Sequence, residues 1–512
     1  MKNLNTKPNT QDSLWTLLTT VFAAFMAFPV SILSASILGT GGIGSLRIIQ
    51  TIIDYSSRSD FGLTRAYARE IPILAGTNDN ARSSHLTNVT FSSSITITIL
   101  LIICLIFAYL LDINFNGTVN SVEILSLLLI LILVDRLNIF LGKSLPAHGY
   151  FVIQSKSRMY RAIFYPLVGI PLIIFFELSG AISAIILSRF FECIYIWIKA
   201  EYKIKWAWDL KETIGLQKIG VRLWAINITN VVVHSVEIIL LSSFLGLKAT
   251  GMYAFALGAI KLFESFAHSQ SNLFFRKYAI ESGETDFSME PFKQAISKDV
   301  PIFMYISIIF CFSGAVVYAF SVLVFLSEFQ PSLDIMIILL PGFVLHSTKV
   351  IPGHILNLFK MFNIMLIIPL VLLLIQIFLS VFMINNFGVI GAAVSFTIIL
   401  SLSGLFFTLY ASKTVFANDL KNIFLIFFKQ ALVTIMSFVL IFQITQFSQI
   451  TPLEFFVFKD AVFIALELLQ TLFLGYLAIT FCFTLIYGLN FLLVLKDLFV
   501  NTLTLGLKKV FS

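Results

Sequence analysis

Long apolar stretches alternate with short polar connections along almost the whole chain. An apolar helix of about 20 residues crosses the hydrocarbon core of a membrane, which is roughly 30 Å thick. The connections are no longer than about 25 residues, so no soluble domain is inserted between the stretches. The pattern predicts fourteen transmembrane helices, at residues 14–38, 43–64, 89–111, 123–143, 162–178, 180–198, 219–244, 250–273, 300–326, 332–351, 362–384, 388–411, 423–446 and 461–488.

The composition excludes the main alternatives to a membrane protein. Of 512 residues, 58% are hydrophobic and 12% are charged, and the mean hydropathy is +0.95. Soluble domains are about half apolar and about a quarter charged, so a soluble enzyme and a disordered chain are both excluded. The net charge is +7, but the basic residues are spread between the apolar segments rather than gathered in one run. Binding to nucleic acid is therefore not indicated.

The distribution of basic residues predicts the orientation of the helices. Cytoplasmic loops of membrane proteins are enriched in Lys and Arg. If the N-terminus is cytoplasmic, 25 of the 34 Lys and Arg residues lie on the cytoplasmic side, and only Lys248 and Lys459 lie in outer loops. We therefore expect a multi-pass protein of a bacterial inner membrane with both termini in the cytoplasm. Residues 14–38 are read as an uncleaved first helix rather than a signal peptide, although Ser34-Ala35-Ser36 resembles a cleavage site.

A weak internal repeat suggests how the helices are grouped. Leu38-Gly39 and Gly44 follow the first helix, and the same pattern recurs six helices later as Leu245-Gly246 and Gly251, after the seventh. Parallel repeats are an architecture of membrane transporters. We expect an all-α fold with two six-helix bundles related by a repeat, at residues 1–200 and 219–412. A cytoplasmic linker (201–218) joins them, and two further helices with a cytoplasmic tail occupy 413–512.

Charged residues within the second apolar segment indicate a polar interior. Arg47, Asp54, Arg58 and Arg65 fall within about 40° of one another on a helix. Asp54 and Arg58 are four residues apart and can pair, which leaves Arg47 in excess. Ionisable groups are costly in lipid, so this face predicts a hydrated cavity that holds an anion. The alternative is that the charges pair with neighbouring helices and only fix packing.

The eighth and tenth segments carry further intramembrane charges. Lys261, Glu264 and His268 share one face of the eighth segment, which aligns with the second segment through the repeat. We expect them to line the same cavity; alternatively, Lys261 and Glu264 neutralise each other. His346 and Lys349 share a face of the tenth segment, and we treat them as secondary cavity candidates together with Glu264 and His268.

Two acidic residues are candidates for binding a coupling ion. Glu237 lies in the apolar seventh segment, three residues after His234. Burial favours the protonated form of a carboxyl group, so Glu237 is a candidate site for a proton or sodium ion. A structural pair between Glu237 and Lys261 is the alternative. Asp60, at the inner end of the second segment, is the second candidate.

The motifs of common enzymes and metal sites are absent from the sequence. The four cysteines lie singly in apolar stretches, without the spacing of a zinc site or a disulfide framework. The sequence has no Walker A loop, nucleophile elbow or H-E-x-x-H motif. We therefore expect no catalytic residues, no metal and no cofactor. The outer loops are too short for the extended catalytic loop of a polysaccharide polymerase, so a transporter is favoured over an enzyme.

Several short motifs resemble those of a known family. They are Leu38-Gly39 with Gly44, Asp60-Phe61-Gly62-Leu63-Thr64-Arg65-Ala66, Leu245-Gly246 with Gly251-Met252-Tyr253, and Phe387-Gly388-Val389-Ile390-Gly391-Ala392-Ala393. In these motifs, in length and in helix count, the chain resembles polysaccharide-biosynthesis export proteins. These are the Wzx-type O-antigen flippases of the MATE-like (multidrug/oligosaccharidyl-lipid/polysaccharide) exporter superfamily.

The resemblance implies a function and a set of roles. It implies that two six-helix bundles surround a central cavity and export an undecaprenyl-diphosphate-linked oligosaccharide, with membrane lipids, a polysaccharide polymerase and a chain-length regulator as further partners. In this interpretation Arg47 and Arg58 contact the diphosphate or acidic sugars, Asp54 orients them, and Lys261 adds positive charge. The alternatives are a drug or a lipid-linked peptidoglycan precursor as cargo, or a membrane polymerase.

Overall fold

The computed structural model describes residues 10–76, 79–111, 121–200, 204–269, 289–359, 361–416 and 458–487, together with parts of 421–435. Every regular element in these residues is a helix, which confirms the all-α fold class. The helices are α1 (Thr10–Ser56), α2 (Leu63–Gly76), α3 (Asn80–Leu110), α4 (Val122–Ala147), α5 (Phe151–Lys199), α6 (Leu210–Val233), α7 (Val236–Phe244), α8 (Gly246–Ser269), α9 (Glu290–Gln294), α10 (Val300–Phe325), α11 (Ser332–Ser347), α12 (Val350–Leu358), α13 (Phe362–Val415) and α14 (Phe458–Tyr487).

Eight helical stretches of the described residues are long and apolar enough to cross a membrane. Helices α9 and α10 are joined through a π-helical turn at Ala295–Asp299 and form one of these stretches. The predicted helix at 423–446 lies mostly outside the described residues. The total of fourteen spans therefore stays a prediction.

Three helices are too long to be single membrane spans. As a straight rod, α5 with its 49 residues would be about 74 Å long, more than twice the thickness of the hydrocarbon core. Each of the three contains one residue with positive φ: Gly39 in α1, Glu177 in α5 and Gly388 in α13. These residues lie at or next to the boundaries that the hydrophobic pattern predicts between consecutive spans.

Close backbone contacts show that α5 and α13 fold back on themselves. A methyl group built on Gly180 would lie 1.9 Å from the carbonyl oxygen of Leu172. One built on Gly391 would lie 2.0 Å from that of Met383. Residues eight apart in a straight helix are about 12 Å apart, so each contact requires a tight hairpin. Glycine permits the approach because it has no side chain.

The turns reproduce the internal repeat. Gly246, between α7 and α8, also has positive φ, and it is the residue that the repeated motif aligns with Gly39. The other two turns, at Glu177 and Gly388, are separated by nearly the same length of chain. Three of the four turn residues are glycines, which adopt positive φ without steric cost. The backbone thus repeats at close to the offset that the sequence motif indicates.

The two copies of the repeat motif contact each other. A methyl group on Gly44 would lie 2.1 Å from the carbonyl oxygen of Leu247, and one on Gly251 would lie 1.7 Å from that of Thr40. No side chain fits between two backbones at this distance. The glycines therefore allow the second half of α1 to cross the first turns of α8 in direct backbone contact.

The chain forms two compact units. Unit 1 comprises the described residues within Met1–Phe255 and Pro369–Ala392, and unit 2 those within Ala256–Ile368 and Ala393–Ser512. In unit 1, buried side chains of α2, α4, α5 and α6 pack around Tyr67. In unit 2, α10 packs against α11 and α14, and the Tyr305 and Thr480 hydroxyls are 3.0 Å apart. The bundle boundaries predicted from the sequence stay a prediction.

Candidate functional site

Arg47 lies on the part of α1 that follows the turn at Gly39. Its side chain is largely buried, and its Nη1 donates to Oε1 of the neutral Gln50 at 3.3 Å. The Nε of Arg47 is buried and has no hydrogen-bond partner among the described residues. Asp54 is the acidic group that acts most strongly on this guanidinium. Arg47 therefore retains donors that no protein acceptor of the described residues uses.

Arg58 lies outside the helix on which the sequence pattern places it. Helix α1 ends at Ser56, so the predicted helical face that extends through Arg58 to Arg65 is wrong. The chain turns at 57–62, where Phe61 and Gly62 have positive φ directly before α2 begins. Nη1 of Arg58 donates to the Asp54 carbonyl oxygen and to the Ser57 hydroxyl, and lies 3.8 Å from the Asp54 carboxylate.

The charges of Arg47, Asp54 and Arg58 do not cancel. Asp54 is exposed, acts electrostatically on Arg47 and lies 3.8 Å from Arg58, so one carboxylate faces two arginines and one positive charge is in excess in this group. The Nε of Arg58, like that of Arg47, is buried without a partner among the described residues. Guanidinium groups with free N–H donors are suited to phosphate and carboxylate oxygens. The local geometry of unit 1 is therefore compatible with an anion.

Asp60 is held by contacts typical of a structural carboxylate. It is buried, and its oxygens accept hydrogen bonds from the backbone N–H groups of Gly62 and Thr64, both at 3.1 Å, and from the Thr64 hydroxyl. Nη1 of Arg136 lies 3.3 Å from Asp60 Oδ2. Asp60 thus fixes the start of α2 and neutralises a buried arginine. Its predicted role in ion coupling stays a prediction.

Glu237 lies at a break between two helices. Helix α6 ends at Val233, and Glu237 is in the first turn of α7, where the helix dipole stabilises negative charge. Its side chain is 1% exposed. Gln376 Nε2 lies 2.8 Å from both carboxylate oxygens, and the Ser380 hydroxyl donates to Oε1 at 3.0 Å. The Val233 carbonyl oxygen is also 2.7 Å from Gln376 Nε2. Glu237 therefore sits in a cluster of oxygen and amide groups within unit 1.

Gln376 and Ser380 are not among the site residues predicted above, although the sequence carries a signal for them. They are four residues apart in an apolar run of the first half of α13, so they share one helix face. A paired polar face in such a run indicates a polar neighbour, but it does not identify Glu237, which is 139 residues away from Gln376.

Tyr253 lies between the two candidate groups of unit 1. It is completely buried, and its hydroxyl has no hydrogen-bond partner among the described residues. Both the Arg47 guanidinium and the Glu237 carboxylate act on it electrostatically. It follows Gly251 by two residues, so the contact between the two repeat motifs brings it to α1. The sequence marks Tyr253 only as part of a family-like motif.

The remaining candidates from the eighth segment lie on α8. Lys261 is partly buried and belongs to unit 2. The backbone positions of Glu264 and His268 are on the same helix, but their side chains lie outside the described residues. Whether these residues line a cavity stays a prediction.

His346 and Lys349 lie where α11 ends and α12 begins, in unit 2. His346 is buried in the last turn of α11. Lys349 is partly buried in the connection to α12, and its Nζ is 6.0 Å from the centre of the Phe407 ring. This distance allows a cation–π interaction. Their role as secondary cavity residues is not tested by these contacts.

Comparisons with known proteins agree with this fold. Residues 72–270 match the model of a family described as polysaccharide biosynthesis protein. The inward closed conformation of the lipid II flippase MurJ is similar with a TM-score of 0.67 and 16% identity, covering 94% of this chain and 99% of that one. An inward-facing multidrug resistance MATE family transporter has a TM-score of 0.56 and 13% identity, covering 81% and 97%. No curated protein matches by sequence.

These findings confirm the resemblance in sequence to polysaccharide-biosynthesis proteins and in fold to the MATE-like superfamily. The identities to solved structures are low, so those similarities establish the fold. Together with the eight apolar helical stretches, this fold supports a multi-pass membrane protein. The matched family segment includes Glu237, Tyr253 and Lys261 and begins after Asp60.

Proposed function

We propose that this chain, which has the fold of the MATE-like flippases and exporters, translocates an undecaprenyl-diphosphate-linked oligosaccharide. The cargo would be the repeat unit of O-antigen or of another surface polysaccharide, moved from the cytoplasmic to the periplasmic leaflet of a bacterial inner membrane. The description of the matched family and the likeness to a lipid II flippase both support a lipid-linked cargo.

The observation that carries the proposal is the excess of one positive charge in the group of Arg47, Asp54 and Arg58. A diphosphate and its sugars cannot enter hydrocarbon unaided, because charged and polar groups lose their hydration there. Arg47 and Arg58 have unused donors that match phosphate oxygens. In this mechanism Asp54 orients the arginines and Lys261 supplies a further cation from the second half of the chain. The prenyl tail stays in the lipid while a basic central cavity alternates between the two membrane faces.

Substitution of the two arginines tests the substrate site. We expect Arg47→Ala and Arg58→Ala each to lower translocation about tenfold or more, since one lost charged hydrogen bond costs about 1.5–3 kcal/mol. Arg82→Ala is the matched control, because Arg82 pairs at 3.5 Å with Glu212, at an exposed position away from this group. The measurement is surface polysaccharide in cells that contain equal amounts of each variant. Full activity of both arginine variants would rule out this site.

Depletion of the protein identifies the cargo. Cells that lack a flippase accumulate completed lipid-linked repeat units on the inner leaflet. If single units instead appear outside without being polymerised, the protein is a polymerase. If cell-wall synthesis stops and the accumulated lipid carries the peptidoglycan precursor, the cargo is that precursor. This second candidate is favoured by the structural likeness to the lipid II flippase. The excess positive charge at Arg47 and Arg58 disfavours a cationic drug.

We further propose that Glu237 couples transport to an ion gradient. Its carboxylate, the Val233 carbonyl, the Ser380 hydroxyl and the Gln376 amide bring several oxygen atoms together at a helix break. Hard cations such as sodium prefer oxygen ligands, and a proton would bind the carboxylate itself. Discontinuous helices often form such sites in transporters. A polysaccharide polymerase and a chain-length regulator would use the exported unit and are the proposed protein partners.

A further inference from the structure

The described part of the connection between α5 and α6, residues 204–209, which we call the strap, is tied to α3. Its backbone N–H groups use side chains of α3 as acceptors: Lys205 donates to Asn88 Oδ1 at 2.8 Å, and Ala207 donates to the Ser92 hydroxyl at 2.9 Å. These bonds hold residues 204–209, which form neither helix nor strand, on the surface of unit 1. The predicted cytoplasmic linker therefore has a defined position in its described part.

Asp209 fastens the strap at its end. Its carboxylate accepts the backbone N–H groups of Lys211 and Glu212 at 3.0 and 3.1 Å, and so caps α6. His85 of α3 lies 3.2 Å from its other oxygen. The N–H of Glu212 and, next, the bond to His85 lower the pKa of the Asp209 carboxyl. The cap is therefore charged at neutral pH, and its contribution is lost as the pH falls through this lowered pKa.

The strap presents two tryptophans to its surroundings. Trp206 and Trp208 are two residues apart, and the contact between their rings places them on the same side of the strap. They are 56% and 54% exposed, and their ring centres are 6.2 Å apart. Trp197, near the end of α5, is also exposed, and both Trp197 and Trp206 contact the ring of Phe91. Three exposed tryptophan rings thus lie close together on unit 1, next to the ring of Phe91.

The beginning of α6 continues this apolar surface. Leu210 is 72% exposed, and Ile214 and Val221 are exposed as well. At 100° per residue these three side chains fall within about 40° of one another. Another face of the helix is buried: Leu216 joins the core of unit 1, and a methyl group on Gly220 would lie 2.5 Å from the carbonyl oxygen of Gly62. The exposed apolar face is therefore not the face that packs on the protein.

A row of cations runs directly beside the exposed apolar face. Lys211, Lys218 and Arg222 lie within about 40° of one another and about 80° from the centre of the apolar face. All three are exposed, and none of them forms an ion pair with a described residue. The candidate membrane span that follows these cations covers Trp224–Phe244. Residues 204–222, which we call the interfacial segment, therefore precede the span and combine exposed aromatic, aliphatic and basic side chains.

We propose that the interfacial segment lies in the plane of the membrane surface, with its apolar side in the acyl boundary and its cations on anionic lipid headgroups. Tryptophan is enriched at this depth of the bilayer, and helices with a lysine row beside an apolar face bind anionic surfaces. The segment is continuous with the spanning parts of α5 and α6, which places it at the membrane surface. The positive charges favour anionic lipid over a neutral protein surface. The proposal does not depend on the nature of the cargo.

Two single-cysteine variants test the depth of the segment. Ile214→Cys lies on the exposed apolar face, and Gly215→Cys is its matched control one residue later, where the helix points about 100° away and nothing lies within 4 Å of an added Cβ. Both are made in the full chain with Cys104, the exposed cysteine of the described residues, changed to Ser. Each is spin-labelled in nanodiscs of phosphatidylcholine that contain phosphatidylglycerol as the minor, anionic component.

We expect the label at position 214 to be reached at least threefold better by oxygen, which concentrates in lipid, than by a water-soluble nickel complex. The label at 215 is expected to show the opposite ratio. Equal oxygen-to-nickel ratios at both positions, at the value of a label in water, would overturn the proposal. It would also be overturned if, in detergent, a bound protein partner covered this face and shielded the label at 214 from the nickel complex. Substitution to cysteine on an exposed face leaves the fold intact, which the elution volume of the purified protein checks.

The charge of the lipid is tested separately. In pure phosphatidylcholine nanodiscs we expect the label at 214 to lie less deeply, with its oxygen-to-nickel ratio lowered about twofold. The triple variant Lys211→Gln, Lys218→Gln and Arg222→Gln should lose this difference between the two lipid compositions and keep the contrast between 214 and 215. If the triple variant still responds to phosphatidylglycerol, the cations do not bind the headgroups and that part of the proposal is wrong.

Discussion

At the scale of single residues, the Tyr253 hydroxyl is unusual because it is buried without a hydrogen-bond partner among the described residues. An unsatisfied buried hydroxyl costs about 1–3 kcal/mol, so we expect Tyr253→Phe to raise the stability by about 1 kcal/mol. Because the hydroxyl lies in the field of both Arg47 and Glu237, we expect the same variant to transport less. Thermal unfolding in detergent and a translocation assay measure the two effects.

Tyr55→Phe is the control for Tyr253→Phe. The Tyr55 hydroxyl is 2.6 Å from the Ser235 hydroxyl and joins α1 to the break before α7. Its removal should lower the stability by about 1 kcal/mol, the opposite sign. If both variants lose stability, the Tyr253 hydroxyl has a partner after all. If Tyr253→Phe is more stable and transports normally, the residue only fills space.

Glu237→Gln tests ion coupling. The amide keeps the size of the side chain and removes its charge, so we expect transport to lose its response to a sodium or proton gradient. The measurement is translocation in proteoliposomes with and without each imposed gradient. Glu123→Gln, at the exposed first turn of α4, is the control and should respond like the unmodified protein. A Glu237→Gln variant that keeps its full response to both gradients would show that coupling takes place elsewhere.

The residue scale is also where the sequence is least informative. Arg189 and Glu192 are three residues apart, a spacing that indicates a local pair. In the structure Arg189 contacts Asp135 instead, and Glu192 accepts from Arg161 at 2.8 Å. Spacing along one helix identifies neighbours on that helix but not those contributed by another. The partners of Glu237 escape the sequence for the same reason.

At the scale of elements, the turn inside α5 lowers the stability of the fold, because a residue with a side chain occupies a position that favours glycine. Glu177 has φ 46°, where the other three repeat turns have glycine. A side chain in this conformation costs about 1 kcal/mol or more, so we expect Glu177→Gly to stabilise the protein by about 1 kcal/mol. Glu123→Gly, in a regular helical turn, should instead destabilise it by a comparable amount. Melting temperatures of the purified variants measure both, and equal shifts would contradict this account of the turn.

The crossing of α1 and α8 depends on Gly251. The methyl group of Gly251→Ala would lie 1.7 Å from the Thr40 carbonyl oxygen, so the helices would have to separate. We expect little folded protein, as measured by size-exclusion chromatography. Gly258→Ala on the same helix is the control, since nothing lies within 4 Å of its added Cβ. Alanine should be tolerated there or stabilise the helix by up to about 1 kcal/mol. Normal folding of Gly251→Ala would contradict the close approach.

At the scale of the whole molecule, the sequence predicts the all-α class and the turns inside the long helices, whereas contacts between distant helices are seen only in the structure. Apolar length marks each span, and glycines or polar residues mark the turns at 39, 177 and 388. The residues 369–392 belong to unit 1, where Gln376 meets Glu237. Sequence order does not indicate the contact between Gln376 and Glu237, because the two residues are 139 positions apart in the chain.

The orientation in the membrane gives the last prediction. The basic residues place the start of α3 in the cytoplasm and the start of α4 outside, because 25 basic residues fall on one side and two on the other. Ser84 and Ser121 are exposed and lie at these two positions. With Cys104 changed to Ser, we expect Ser121→Cys to react with an impermeant maleimide in cells whose outer membrane has been opened. Ser84→Cys should react only in inverted inner-membrane vesicles. The reverse pattern would show that the topology, and with it the direction of the proposed export, is opposite to the prediction. Reaction of both residues from one side would show that α3 does not cross the membrane.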